Sequence, residues 1–238
     1  MKVKRWLKIS LILLIFVVGG AVFYFKYPQI WGSAVYPLEY EDLILKYAKQ
    51  YNIPPSFIAA VIYSESHFNK DATSPVGASG LMQIMPATGA RLAKTLGDTD
   101  FAPSKLFEPE RNVRYGSYYL KELIDRHEGD VDKALMAYNG GEAAVISYER
   151  NSVLPRETSG YVRKVKGTWE MYEKVYADKW QAQKNQETAK QQENQEQKQL
   201  QKDIHSRQAM GEELKINTVP VWNFKIFWPV NKSFQIIK

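Results

Sequence analysis

An apolar run that ends in a glutamate is the first feature of the sequence that could carry chemistry. The run is "FIAAVIYSES", residues 57–66. Ile58, Val61, Ile62 and Glu65 are spaced i, i+3, i+4 and i+7, which puts the carboxyl on the helix face of the apolar side chains. Burial disfavours a carboxylate, so we expect a raised pKa and a general acid that can protonate a leaving oxygen. The alternative is that Glu65 ends the helix and points into water.

Three further stretches follow Glu65-Ser66 in the chain. They are "SPVGASGLMQIMPATG" (74–89), "ALMAYNGGEAAV" (134–145) and "LPRETSGYVRKV" (154–165). In order and spacing, the four motifs resemble those of the lytic transglycosylase family 1 catalytic domain, the transglycosylase SLT domain, which is related to goose-type lysozyme. The resemblance covers residues 36–176. It implies a mainly α, lysozyme-like fold that needs no cofactor.

The resemblance also implies an activity. A family member cleaves the β-1,4 bond between N-acetylmuramic acid and N-acetylglucosamine in peptidoglycan and leaves a 1,6-anhydromuramic acid product. Glu65 would be the single acid and base, Ser66 a hydroxyl that polarises the reacting sugar, and Tyr161 a hydroxyl that meets the glutamate. Two alternatives remain open: a muramidase that hydrolyses the same bond with water, and a glycan-binding accessory of a cell-envelope machine without catalysis.

The second motif, "GLMQ", resembles the loop that lines the glycan groove. From the residues themselves, Gly77 and Gly80 allow the backbone to approach a ligand, Gln83 offers an amide, and Met82 offers an apolar wall. Core packing is the alternative for Met82, and equally for Ile84 and Met85.

In the third motif, Tyr138 and Asn139 would face the glycan, since aromatic and amide groups suit sugar faces and hydroxyls. Asn139 followed by two glycines is also an ordinary helix-ending signal. Two departures from the family pattern, Gly140-Gly141-Glu142 in place of Ala-Gly-Pro and Ser159 in place of Arg, bear on subsite preference. Glu142 is a carboxylate that could reach the groove and activate water.

Helical periodicity dominates the segments that must position these residues. Helices are predicted at 40–51, from Pro55 through Glu65, and at the ranges 87–96, 111–126, 131–137 and 161–176. Few stretches alternate as strands do, so the domain at 36–176 is predicted to be mainly α.

The N-terminal region predicts a membrane anchor. A basic segment (1–8) precedes 17 uncharged residues (9–25), ~26 Å as a helix, with Trp6 and Tyr27 at the two interfaces, followed by a linker (26–35). The positive-inside bias predicts a single-pass protein with a cytoplasmic N-terminus and an extracytoplasmic domain, attached to the cytoplasmic membrane. A cleaved signal peptide ending near Gly32-Ser33-Ala34 is the competing interpretation.

Charge and composition narrow the function classes. The net charge is +6, but five of the 32 basic residues lie in the first 26, and the remaining 27 nearly balance 26 acidic residues. A nucleic-acid binder would need a basic face on its folded domain, so that class is disfavoured. The chain has no cysteine, and its three histidines have no metal-ligand spacing, so no metal site is predicted.

The C-terminal part changes composition twice. Residues 177–212 are rich in Gln, Glu and Lys, with too few apolar positions for a coiled-coil seam, and are predicted to form a solvated helix or a disordered stalk. Residues 213–238 are apolar and aromatic but interrupted by Pro220 and Pro229. This end could dock on the domain, touch a membrane or bind a cell-envelope protein, and the sequence does not choose among these.

Overall fold

The computed structural model of the chain describes residues 2–209, except for the side chains at 2–5, 7, 29 and 207–209. The apolar segment predicted at 213–238 lies outside the described residues. Within 2–209 the regular elements are helices: α1 (Lys2–Lys26), α2 (Pro28–Val35), α3 (Glu41–Tyr51), α4 (Pro55–Ser66), α5 (Pro86–Thr95), a 3-10 helix (Pro103–Phe107), α6 (Pro109–Arg126), α7 (Val131–Asn151) and α8 (Arg156–Ala209). The mainly α prediction is confirmed.

Two units divide the chain, residues 1–181 and residues 182–238. In the second unit, residues 182–209 belong to α8 and their described side chains are nearly all exposed. The composition allowed either a solvated helix or a disordered stalk, and residues 182–209 form the solvated helix.

Helix α4 is the centre of the first unit. Pro54 and Pro55 set its start, because proline cannot continue α3 but fits the first helical position without losing a hydrogen bond. Every residue from Ser56 to Ile62 is buried, so α4 is enclosed on all sides rather than along one stripe. Helices α3, α5, α6, α7 and α8, the 3-10 helix and the loops next to α4 contribute the other buried residues of this core.

Two helix bounds differ from the predictions. The helix predicted at 131–137 runs on to Asn151, with a break at Gly141 (φ 70°, ψ 177°) that only glycine adopts readily. The helix predicted at 161–176 starts at Arg156 and continues to Ala209. The stretch predicted as a linker contains α2.

Within α1, the stretch from Lys8 to Lys26 has a mean hydropathy of 2.3 and none of it is buried. By length and composition this 19-residue stretch could cross a membrane.

Candidate active site

Glu65 lies in the last turn of α4, opposite Tyr161 on α8. The Tyr161 hydroxyl donates a hydrogen bond to Glu65 Oε1 at 2.6 Å, across 96 residues of chain. Burial raises the pKa of Tyr161 well above its usual value, so this hydroxyl keeps its proton and stays a donor. The contact implied by the family resemblance is therefore present in the fold.

The carboxyl of Glu65 has a strongly perturbed acidity. Burial raises its pKa from 4.5 to about 7, while the Tyr161 hydrogen bond and the positive charge of Lys164 act in the opposite direction. Lys164 is itself held by α4, since its ammonium donates to the Ser64 carbonyl at 2.8 Å. Near neutral pH the carboxyl is thus able both to give and to take a proton. The sequence analysis did not identify Lys164.

Ser66 is engaged by the protein backbone. Its hydroxyl is buried and donates to the Leu81 carbonyl at 2.7 Å, with the Ile62 carbonyl at 3.2 Å. The proton of this hydroxyl is thus directed to the protein, and a role of Ser66 in polarising the reacting sugar stays a prediction. Ser66 ties the end of α4 to the "GLMQ" loop, and so fixes the loop relative to Glu65.

The loop is also held from α6, by a residue that the sequence analysis missed. Asn112 is fully buried; its Nδ2 donates to the carbonyls of Ser79 (2.8 Å) and Leu106 (2.7 Å), and its Oδ1 accepts from the Met82 N–H at 2.7 Å. Gly80 has φ +80°, and a Cβ there would lie 2.3 Å from Asn112 Nδ2. Gly80 therefore makes room for Asn112, which corrects the expectation that it admits a ligand.

Met82 is a core residue with a backbone role. Its side chain is fully buried, and a Cβ on Gly116 of α6 would lie 2.3 Å from the Met82 sulfur. The prediction of an apolar groove wall at this side chain is wrong, and the core-packing alternative holds. The Met82 carbonyl, however, accepts the Tyr138 hydroxyl at 2.8 Å, which orients that ring.

A cleft of about 190 Å³ opens beside Tyr138. Its lining is mixed polar and apolar and comprises Gln83, Ile84, Met85, Thr88, Tyr119, Ala137, Tyr138, Asn139 and Gly141. Gln83 has φ +48°, and its amide donates to the carbonyls of Ala72 (3.1 Å) and Gly80 (3.0 Å), which fixes the side chain at the cleft. The Tyr119 and Tyr138 rings lie 5.3 Å apart. Of the predicted groove residues, Gln83, Tyr138 and Asn139 come together here.

Asn139 is exposed and does not end α7, because the helix breaks only at Gly141 and then continues. After the break, the carboxylate of Glu142 forms an ion pair with Arg126, whose Nη1 lies 2.5 Å from one carboxylate oxygen. The interpretation of Glu142 as a water-activating base has no support from this contact.

Ser159 lies at a different surface. It is among the residues that line a second groove, between α7 and α8, and its hydroxyl donates to the Arg156 carbonyl at 3.0 Å. Within residues 2–209, no three His, Cys, Asp or Glu side chains are grouped so that they could hold a metal ion.

Comparisons with known proteins match part of the chain to one family model. Residues 42–157 match the family model of the transglycosylase SLT domain. Soluble lytic murein transglycosylase of Salmonella typhimurium is 36% identical over 143 residues, which cover 55% of this chain and 22% of the relative. Membrane-bound lytic murein transglycosylase C of Actinobacillus pleuropneumoniae is 34% identical over 151 residues, which cover 58% of this chain and 41% of the relative.

The fold has a solved counterpart as well. The crystal structure of the 70 kDa soluble lytic transglycosylase of Escherichia coli matches with a TM-score of 0.55 and 34% identity, over 58% of this chain and 24% of that one. The chain thus corresponds to a minor part of these relatives' lengths.

Proposed function

We propose that this chain, whose residues 42–157 belong to the transglycosylase SLT domain family, is a peptidoglycan lytic transglycosylase with Glu65 as its acid and base. The observation that carries the proposal is the half-buried Glu65 carboxyl, with a pKa raised to about 7 by desolvation, in a 2.6 Å hydrogen bond with Tyr161. A protein that only binds glycan has no need of a carboxyl poised in this way.

In the first step, protonated Glu65 donates its proton to the glycosidic oxygen between N-acetylmuramic acid and N-acetylglucosamine. The bond from that oxygen to C1 breaks, and the N-acetylglucosamine leaves with a new hydroxyl. The substrate's own N-acetyl group assists the departure by sharing the positive charge that develops at C1. Tyr161 then stabilises the ionised carboxylate, because it donates to Oε1 and its own proton is held firmly.

In the second step, ionised Glu65 takes the proton of the C6 hydroxyl while that oxygen closes on C1. The result is a 1,6-anhydro ring, and Glu65 is protonated again. Glycosidases that hydrolyse normally use a second carboxyl, as nucleophile or as base for water. Tyr161 and Lys164 are the side chains that perturb the pKa of Glu65, with no carboxylate among the described residues that do so. Glu142, the acid just after the break in α7, is paired with Arg126.

The glycan is proposed to lie along the cleft that Tyr138 lines, and Glu65 is close enough to Tyr138 to act on it electrostatically. Tyr138 would stack on a sugar face, and the exposed Asn139 amide would hydrogen-bond sugar hydroxyls. Gln83, with its donor group already engaged, has its amide oxygen left to accept from a sugar hydroxyl. Gly80 and Met82 would act on the glycan only indirectly, through the loop that they and Ser66 position.

The proposed location is the cytoplasmic membrane, with the N-terminus in the cytoplasm and the domain outside. The basic residues before the apolar part of α1, and the single lysine after it, support this orientation. Protease added to intact, wall-stripped cells should remove the domain. Digestion only after lysis would reverse the orientation.

Product analysis tests the activity. Purified peptidoglycan is digested with the wild-type chain, Glu65→Gln and Glu142→Gln, and the released fragments are weighed by mass spectrometry. The wild type should release fragments one water lighter than hydrolytic products. Glu65→Gln should lose roughly 10²–10⁴-fold in rate, as expected for a general acid. Glu142→Gln is the matched control and should form the same anhydro product. Predominantly hydrated products from the wild type would replace this proposal by the muramidase.

A further inference from the structure

Helix α2 folds back onto the end of the apolar stretch of α1. The Trp31 ring stacks on the Tyr24 ring, with centroids 4.3 Å apart and planes 10° apart, and its indole N–H donates to the Tyr24 carbonyl at 2.9 Å. That carbonyl belongs to the last turn of α1, where intrahelical partners run out. Trp and Tyr are enriched where a membrane meets water. The start of α2 therefore lies at the level where the apolar stretch of α1 ends.

The two faces of α2 have different surroundings. Gly32 is buried, and a Cβ there would lie 2.2 Å from Cγ2 of Val175 on α8, so α2 packs closely on α8. On the other face, Ile30 is 64% exposed, and Ser33 and Ala34 are exposed as well. No charged residue occurs in the α2 sequence, "PQIWGSAV". The helix thus presents an uncharged, exposed outer face (Ile30, Ser33 and Ala34), and Trp31 anchors this helix on the end of the apolar stretch of α1.

The backbone that follows α2 is fixed by tyrosines from the catalytic helices. Tyr63 donates to the Val35 carbonyl (3.2 Å), Tyr176 to that of Tyr36 (2.7 Å) and Tyr172 to that of Pro37 (2.6 Å). Tyr63 is two residues before Glu65 on α4, and the other two donors share α8 with Tyr161. We call these three hydrogen bonds the tyrosine clamp. Because of the clamp, no free linker separates α1 from the helices of the candidate site.

We propose that the outer face of α2 contacts the surface of a phospholipid bilayer, and that the tyrosine clamp holds the catalytic domain against that surface at a fixed height. The protein does not cover the apolar stretch of α1, so lipid is the surrounding that suits this stretch. Helix α2 begins at the end of the stretch and has no charged residue on its exposed face. A domain of ~140 residues is about 35–40 Å across. If the proposed function is right, the enzyme therefore acts on glycan within about that distance of the membrane.

The contact can be measured without any activity assay. Because the chain has no cysteine, a single introduced cysteine can be labelled selectively. Ile30→Cys is labelled with a polarity-sensitive fluorophore, and the full chain is reconstituted into phosphatidylcholine–phosphatidylglycerol vesicles with quencher-bearing lipids. Val76→Cys, on the catalytic domain and 75% exposed, is the matched control. The Ile30 probe should be blue-shifted and quenched several-fold more strongly than the Val76 probe. Equal quenching at both sites would overturn the proposal. Shielding of the Ile30 probe that depends on protein concentration would also overturn it and would indicate a second copy of the chain.

The fixed height is tested by time-resolved energy transfer from a donor on Val153→Cys, 62% exposed, to an acceptor dye on the lipid headgroups. A narrow distance distribution is expected. Gly32→Leu should broaden it, since the added side chain collides with Val175, whereas Ser33→Leu on the outer face should not. A broad distribution in the parent protein would refute the clamp. Cleavage of soluble glycan should be unchanged in both leucine variants, so failure of this inference is distinguishable from failure of the proposed function.

Discussion

Replacing Glu65 with glutamine should stabilise the chain above neutral pH and have a much smaller effect on its stability at pH 5. In the folded chain, burial raises the pKa of this carboxyl from 4.5 to about 7. The folded state therefore binds the proton more tightly than the unfolded state does. The contribution of this carboxyl to stability is fully present below its unfolded pKa, near 4.5, and is lost as the pH rises through about 7.

The size of the effect follows from the same two pKa values. At ~1.36 kcal/mol per pKa unit, the difference between 4.5 and about 7 corresponds to about 3 kcal/mol of lost stability at pH 9. Glu65 is half-buried, so water at the exposed part of the side chain screens the charge and reduces the loss to about 2–3 kcal/mol. Glutamine keeps the shape without the charge. At about 2–4 °C per kcal/mol, its melting temperature at pH 9 should exceed the parent's by about 4–12 °C.

The assay is thermal unfolding of the full chain in detergent micelles at pH 5, 7 and 9. Glu193→Gln, on the exposed distal part of α8, removes the same charge without burial and serves as the control. The Glu65→Gln advantage should grow with pH, and the control should follow the parent at every pH. If the Glu65→Gln melting temperature differs from the parent's by the same amount at pH 5 and pH 9, the carboxyl is not desolvated and the acid assignment loses its basis.

Three further outcomes are expected. Tyr161→Phe removes a hydrogen bond that lowers the pKa of Glu65, so the alkaline limb of the pH–rate profile should move to higher pH. The maximal rate should fall about 10–100-fold. An unmoved alkaline limb would contradict the role assigned to Tyr161. Asn112→Ala leaves the Met82 N–H and two carbonyls buried without partners. It should lower the free energy of unfolding, measured with denaturant, by about 3 kcal/mol or more. An unfolding curve equal to the parent's would refute this. Deletion of residues 182–238 should leave glycan cleavage nearly unchanged, because every residue of the candidate site lies in the first unit; loss of folded protein would show that the removed segment is needed.

Local sequence signals are sufficient to predict α4, the helix that carries Glu65. Two prolines fixed the start of α4 in the chain, and the apolar spacing around Glu65 placed its carboxyl toward the interior. The spacing was nevertheless an incomplete guide, because α4 is buried all round and any face of it would have been enclosed. The contact with Tyr161 lies 96 residues away and depended on the family resemblance rather than on periodicity.

Residues that act through the loop could not be assigned from local patterns. The hydroxyl of Ser66 meets a carbonyl 15 residues on, and Asn112 reaches 33 residues back to Ser79. One signal for Asn112 was present: it precedes Gly116 and Leu120 by four and eight residues, on the buried stripe of α6. A polar residue on such a stripe must find partners, which indicates a structural amide.

The enclosure of α4 also determines how the site can move. Ser56 to Ile62 have neighbours on every side, so the backbone amides of this helix can open to water only when the surrounding helices separate. Their hydrogen exchange should then proceed through global unfolding rather than local fraying. Glu65 is thus attached to the slowest-exchanging part of the chain. The acid is therefore expected to stay in place on the timescale of local motions in the chain.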